Sequence, residues 1–462
     1  MENNRPQTSP VMERENIMGT MEINPLLVKL SVPMMISMLV QALYNVVDSV
    51  FVSWVSEEAL TAVSLAFSLQ NMMIAVGVGT GVGVNAMLSK SLGEKNQKRA
   101  NATAENGIFL SVCSFLVFLV IGLTCIKPYF YAQTSDDAIA LQGIRYLSVC
   151  CIFSLGLFTQ TMGEKLLAAT GRTQLSMISQ LVGAVVNIIL DPILIFALNM
   201  GVRGAATATV ISQAVGAVWV LRFLTGSRTR LRLSVKNMPL VGKVIGPCLG
   251  LGVSTFVMIA TESILSISFN SSLARYGGDI AVGAMTIITS ATQLLSMPVQ
   301  GLCQGAQPIM SFNFGAGKGD RVKRAFRLQF IICVAYAAAF WAACMLVPQM
   351  FASIFSTDPE LVRYTAWAMR VYMAGIFSTG FQASCQQSFV ALGQAKISLF
   401  MACLRKLILL IPLIFILPLI LQDKVFAVFL AEPVSDIIAA TVTCSAFFIR
   451  FNKILATSQK KA

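Results

Sequence analysis

The 462-residue chain has no histidine, and only 12% of its residues are charged. Without an imidazole it has no histidine base, no histidine metal ligand and no histidine proton carrier. Soluble globular proteins carry roughly a quarter charged residues, so the shortage of charge argues against a water-soluble fold. Metal-type cysteine spacing is missing as well. The eleven cysteines, Cys113, Cys150, Cys151, Cys333 and Cys444 among them, scatter through apolar stretches without a CxxC pair. They read as small packing residues. No short apolar core with a small-residue cleavage site opens the sequence, so the first hydrophobic helix is expected to remain in the mature protein.

Apolar sequence takes the place of charge. Hydrophobic residues make up 56% of the chain, and the mean hydropathy is +0.74. Runs long enough to cross a bilayer recur throughout, which predicts an all-α polytopic membrane protein. Twelve helices are expected. The first six cover roughly 26–54, 59–88, 102–126, 139–168, 174–198 and 203–224. The next six cover roughly 244–274, 280–312, 326–348, 361–391, 397–421 and 425–449. A spanning β-strand needs only about ten alternating residues, so these lengths mean helices.

The net charge of +13 does not indicate nucleic acid, because of where the charge lies. Most Lys and Arg fall in the tails and even-numbered loops, with the adjoining helix ends, for example Lys95, Lys98 and Arg99, Arg228 to Lys236, and Lys318 to Arg324. The odd-numbered loops hold only Lys127, Arg203, Arg275, Arg363 and Lys424, with Arg145 and Arg370 near adjoining helix ends. By the positive-inside rule both termini are cytoplasmic, and the expected location is the cell membrane.

The sequence also repeats itself at an offset of 222 residues. Gly79, Gly83, Ser89, Gly93 and Arg99 fall on Gly301, Gly305, Ser311, Gly315 and Arg321. Pro25 falls on Pro247, Ala59 and Ala62 on Ala281 and Ala284, and Ala169 and Gly171 on Ala391 and Gly393. Six spans per copy give both copies the same orientation, so two parallel-repeat lobes are expected. The resulting division is a cytoplasmic tail 1–24, a first lobe 25–224, a basic cytoplasmic linker 225–243, a second lobe 244–449 and a cytoplasmic tail 450–462.

Five acids lie well inside these spans, away from their ends: Asp48, Asp191, Glu262, Glu432 and Asp436. Intramembrane carboxylates are costly and mark functional sites unless a buried base neutralises them. Few bases are evident, since Lys29, Arg145 and Arg370 can reach an interface. An unpaired buried carboxylate takes up a proton or holds a cation. The acids of the first lobe are not copied in the second: Asp48 falls on Asn270, and aligning Pro192 with Pro412 puts Asp191 on Ile411.

Polar company surrounds these acids. Ser37, Gln41, Tyr44, Asn45 and Asp48 form a stripe on helix one, and Asn187 and Asp191 share a face of helix five beside Pro192. Thr209, Ser212 and Gln213 line one face of helix six. Carboxylate, amide and hydroxyl oxygens suit a hard cation such as Na⁺, and equally a hydrogen-bond network around a protonated acid. In the second half Glu262, Gln293, Met297, Gln300, Gln304, Gln307, Ser378 and Gln382 are candidates for a roomy cavity. Helix-to-helix hydrogen bonding is the plainer role for any one of the glutamines.

LYNVVDSVFVSW followed by EEALTAVSLAFSLQ resembles the first two helices of the multidrug and toxic compound extrusion (MATE) family. NIILDPILIFALNMGVRGAATATVISQ resembles its fifth and sixth helices, and GLCQGAQPIMSFNFGAGKGDRVKRAF its eighth helix and following loop. The resemblance implies secondary active efflux of cationic amphipathic small molecules, driven by H⁺ or Na⁺, as two lobes rock about a central cavity. It implies a cation site of Asp48, Asn187, Asp191 and Thr209, with Glu262 matching a helix-seven glutamate used by some members. Where other members carry a helix-ten acid, this chain has Ser378, Gln382 and Gln386.

No cofactor beyond the coupling ion is expected, nor any nucleic-acid partner, and the chain is expected to work as a monomer in the lipid bilayer. The alternative is a lipid-linked glycan flippase of similar two-lobe architecture. A pyrophosphate head group would favour Arg or Lys in the cavity, whereas this interior reads as acidic. No nucleophile–base pair or metal-spaced cluster suggests an enzyme, and the duplicated lobes favour alternating access over a channel.

Overall fold

The computed structural model describes residues 17–226, 231 and 242–459. Most of the expected linker 225–243, and positions 1–16 and 460–462 of the expected tails, lie outside the described residues. Among the described residues there is no β-strand. Six spanning helices form the first lobe: α1 (Ile23–Ser53), α2 (Glu57–Gly93), α3 (Gln97–Thr124), α4 (Asp137–Ala169), α5 (Thr173–Ala197) and α6 (Val202–Thr225). The second lobe begins with one continuous helical stretch, Gly242–Gly315. Gly278 breaks it with φ 67°, a conformation that a residue without Cβ adopts freely. The break makes two spans, α7 (242–277) and α8 (279–315). Next come α9 (Gly319–Leu346), α10 (Pro359–Tyr372 continued by Ser378–Ala391), α11 (Ala395–Ile420) and α12 (Lys424–Gln459).

Local chemistry sets the helix ends. Ser56, Asn96, Asp136 and Asp358 cap helices by accepting bonds from otherwise orphaned backbone amides. α4 bends by 49° between Ile152 and Leu155. In α5 the backbone after Pro192 widens into a π-helical turn, Ile193–Ala197. α11 does the same over Leu404–Leu410, just before Pro412. Turns of this kind recur at functional sites. Exposed Leu123, Val218, Leu346, Leu419 and Ile449 give the bundle an apolar outer surface, as a bilayer requires.

The repeat is visible atom by atom. Ser89 donates to the Ala169 carbonyl (3.2 Å), and its counterpart Ser311 donates to the Ala391 carbonyl (2.8 Å). Gly171 and Gly393 both have positive φ, as do Lys95 and Gly317, each pair 222 residues apart. The lobes also touch through matched close approaches. A Cβ at Gly83 would run into the Cys248 carbonyl of α7, and one at Gly305 into Ser31 of α1. A Cβ at Gly93 would meet the Phe312 carbonyl, and one at Gly315 the Lys90 carbonyl. These contacts lie at the end of the molecule that carries the basic loops after α2 and α8.

Both outer boundaries extend further than the sequence suggested. Expected tail residues Ile17–Thr20 form a helical turn with Met18 fully buried. Arg321 Nη2 holds this turn by donating to the Met18 (3.1 Å) and Met21 (2.6 Å) carbonyls, and Asn313 Nδ2 donates to Met18 O (2.9 Å). At the other end α12 runs past 449 to Gln459. Phe447, Phe451, Ile454 and Leu455 recur at helical spacing and are buried in the second-lobe core.

Candidate functional site

α1 and α5 bring the two first-lobe acids together. Asp191 is fully buried and Asn187 nearly so, and Asn187 Nδ2 donates to Asp191 Oδ1 at 3.3 Å. Their spacing of four residues stacks them on one helix face, where Pro192 and the π turn begin. Asp48 lies close enough to act on Asp191 electrostatically, and also on Tyr44 and Tyr146. Three oxygens here, Asp48 Oδ1, Asn187 Oδ1 and Asp191 Oδ2, are buried without a hydrogen-bond partner. Neither carboxylate has an ion-pair partner among the described residues. Thr209 turns its hydroxyl to the Ala205 carbonyl (3.0 Å). Gln41 and Tyr44 are half-buried, and Asn45 is exposed.

A second polar network in the first lobe escaped the sequence reading. Glu164 on α4 is buried and accepts from Gln160 Nε2 (3.0 Å) and Gln180 Nε2 (2.9 Å). Lys165, equally buried, crosses the lobe interface to donate to Gln304 Oε1 at 2.6 Å. Glu164 also acts electrostatically on Tyr44, so this network reaches toward Asp48. The EK pair near the end of a predicted span was the available signal.

The acids of the second lobe differ from expectation: all three have basic partners. Lys406 pairs with Glu262, and Arg405 pairs with Asp436 (2.7 Å) and Glu432 (3.4 Å). Both bases come from the π-helical stretch of α11. Intramembrane acids commonly pair with bases, and α11 supplies the partners that few bases in the sequence suggested.

The remaining cavity candidates divide. Gln307 is buried and donates to Val82 O (3.0 Å), joining the lobes. Gln304 is engaged by Lys165. Ser378 and Gln382 are buried, with Ser378 Oγ and Gln382 Oε1 unpartnered. Gln293 and Gln300 are exposed, and Met297 is half-buried. A separate apolar groove of about 460 Å³ lies between α2 and α7, lined by Ser68, Met72, Phe256 and Ile264 among others, and does not include the acids. Among the described residues no group of three or more His, Cys, Asp or Glu could hold a metal ion.

The family model MatE matches residues 33–193 and again 255–416, two stretches whose starts are 222 residues apart. The chain belongs to the MatE family. Its members are membrane transporters, not enzymes, and this chain is a multi-pass membrane protein of their two-lobe, all-α fold. It is 25% identical over 427 residues to the multidrug export protein MepA of Staphylococcus haemolyticus, covering 90% of this chain and 92% of that one. MepA of Staphylococcus aureus (strain NCTC 8325 / PS 47) is 24% identical over 430 residues, covering 89% and 91%. Among solved structures, the outward-facing conformation of a multidrug resistance MATE family transporter superposes with a TM-score of 0.89 at 23% identity, covering 96% of this chain and 99% of that one. A MATE in the bent conformation gives 0.89 at 24% identity, covering 94% and 97%.

Proposed function

We propose that this chain is a secondary active multidrug exporter that moves cationic amphipathic small molecules out of the cell in exchange for H⁺ or Na⁺. The observation that carries this reading is the Asp48, Asn187 and Asp191 group, two intramembrane carboxylates without a basic partner among the described residues and with buried, unpaired oxygens. A carboxylate withdrawn from water is stabilised by a bound proton or cation, and side-chain oxygens are suitable donors to a hard ion. Thr209 on α6 completes the proposed set. Rocking of the lobes that changes the hydration of the site changes its affinity for the ion, and that difference couples the ion gradient to export.

The names of the staphylococcal relatives, multidrug export proteins, support the class of cargo. On this reading the protein works as a monomer in the cell membrane, with both termini cytoplasmic by the distribution of basic residues. A lipid-linked glycan flippase is not favoured. Buried Lys165 and Lys406 and half-buried Arg405 each lie beside carboxylates, so among the described residues no base buried within the spans is left free for a pyrophosphate.

Transport by the purified chain in liposomes, with pH and Na⁺ gradients imposed separately, tests the reading. Uphill movement of a cationic dye under one of the gradients is expected. Movement under neither, or equal transport of anionic dyes, would contradict it.

A further inference from the structure

The two lobes treat their acids differently, and the difference lies in α11. Glu262 on α7, Glu432 and Asp436 on α12, and Arg405 and Lys406 on α11 form one charge cluster within the spanning helices. Tyr372 of α10 feels all three acids and Arg405. At full charge, three carboxylates face two cations, and one negative charge is left over. Asp48 and Asp191 have no such built-in cation among the described residues.

Within the cluster, burial is uneven. Lys406 has a side chain only 5% exposed, whereas the Glu262 side chain is 64% exposed. Glu262 sits beside the lobe interface, since the next residue, Ser263, receives Asn71 Nδ2 of α2 at 3.4 Å. Lys406 also donates to the Met258 carbonyl (2.6 Å), one turn back on α7. It acts electrostatically on Glu432 and Asp436 as well. An ammonium leaving Glu262 is therefore not stranded: it keeps one hydrogen bond and two carboxylates within range. That removes the main cost of breaking a buried pair, an uncompensated charge.

We propose that Lys406 is a tethered competitor for Glu262. It occupies the carboxylate when no organic cation is present and yields it to a monovalent cationic substrate, so that the pair sets the charge preference and affinity of the second lobe. This rests on the cation-export reading above. Competition of this kind reduces apparent affinity by the fraction of time the carboxylate is free. Return of Lys406 to Glu262 then favours release of the cargo. The single carboxylate that Lys406 vacates suits a monocation better than a dication.

The test measures the dissociation constant of tetraphenylphosphonium for the full-length protein in lipid nanodiscs. Lys406→Met should bind about tenfold more tightly than the parent, because the competitor is gone. Glu262→Gln should bind more weakly, and the double variant Glu262→Gln, Lys406→Met should be as weak as Glu262→Gln. Lys406→Arg keeps the charge while its fork grips a carboxylate at two points, so it should weaken binding by about threefold and provides the readout where Lys406→Met does not fold. Unchanged or weaker binding by folded Lys406→Met, unchanged binding by Lys406→Arg, or a double variant as tight as Lys406→Met would each overturn the proposal. A parent protein that exports cationic dye in liposomes while the Lys406 variants bind like it removes this inference alone. A parent that neither binds nor exports cations removes the export reading, and this inference with it.

Discussion

At the residue scale, the membrane interior holds two kinds of carboxylate, and substitution should tell them apart. Arg405 neutralises Asp436 and Glu432 at once. Arg405→Met leaves both without their partner, and losing one side of a buried pair costs about 3–5 kcal/mol. Its unfolding midpoint in detergent should fall clearly. Asp48 has no basic partner to lose, so Asp48→Asn should unfold no earlier than the parent. An Arg405→Met protein as stable as the parent would remove the structural role given to that pair. Asp48 and Asp191 were legible in the sequence because an ionisable residue in an apolar run needs a reason to be there. Arg405 and Lys406 escape notice in a charge count by side of the membrane, where they fall with the basic residues of the helix end beside the loop before α11. Arg405 lies eight residues past the expected start of its helix at 397, about 12 Å at 1.5 Å per residue. That depth was the available signal that these bases are interior. The pairing of Lys406 with Glu262, on a helix 144 residues away, is a tertiary fact that spacing does not encode.

At the element scale, matched crossings of α2 on α7 and α8 on α1 hold the lobes together. Gly83→Leu and Gly305→Leu force a side chain into the Cys248 carbonyl and into Ser31. Overpacking of this kind costs about 1–3 kcal/mol, and both variants should show lowered thermal stability. Gly183→Ala on α5 is the control, since its nearest atom, Ser212 O, is 3.6 Å away. It should melt with the parent, and a fall equal to that of the leucine variants would show that these crossings are not special. The spans themselves were legible because a bilayer-crossing helix needs an apolar run of fixed length. The bend in α4, the interruption of α10 between Tyr372 and Ser378 and the two π turns were not, because hydropathy carries no information on which carbonyl each amide reaches. Pro192 and Pro412 marked where the ladder would loosen, but not how.

At the scale of the whole molecule, the 222-residue repeat becomes a pair of lobes that meet most closely beside the basic loops. If those loops face the cytoplasm, the state described here is closed on the inside. A single cysteine at Asp136, between α3 and α4, should then react with an impermeant maleimide in intact cells, in a background with its native cysteines replaced. One at Gly317, between α8 and α9, should react only after lysis. The reverse pattern would invert the orientation and the direction of transport with it. The central claim is that Asp48 and Asp191 couple ion flow to export. It is tested most directly by gradient-driven uphill export of a cationic dye from liposomes holding matched amounts of parent, Asp48→Asn and Asp191→Asn. Asparagine keeps the shape and most of the hydrogen bonding but not the charge, so both variants should insert normally and fall to background export. Parental rates of uphill export in both would contradict the account.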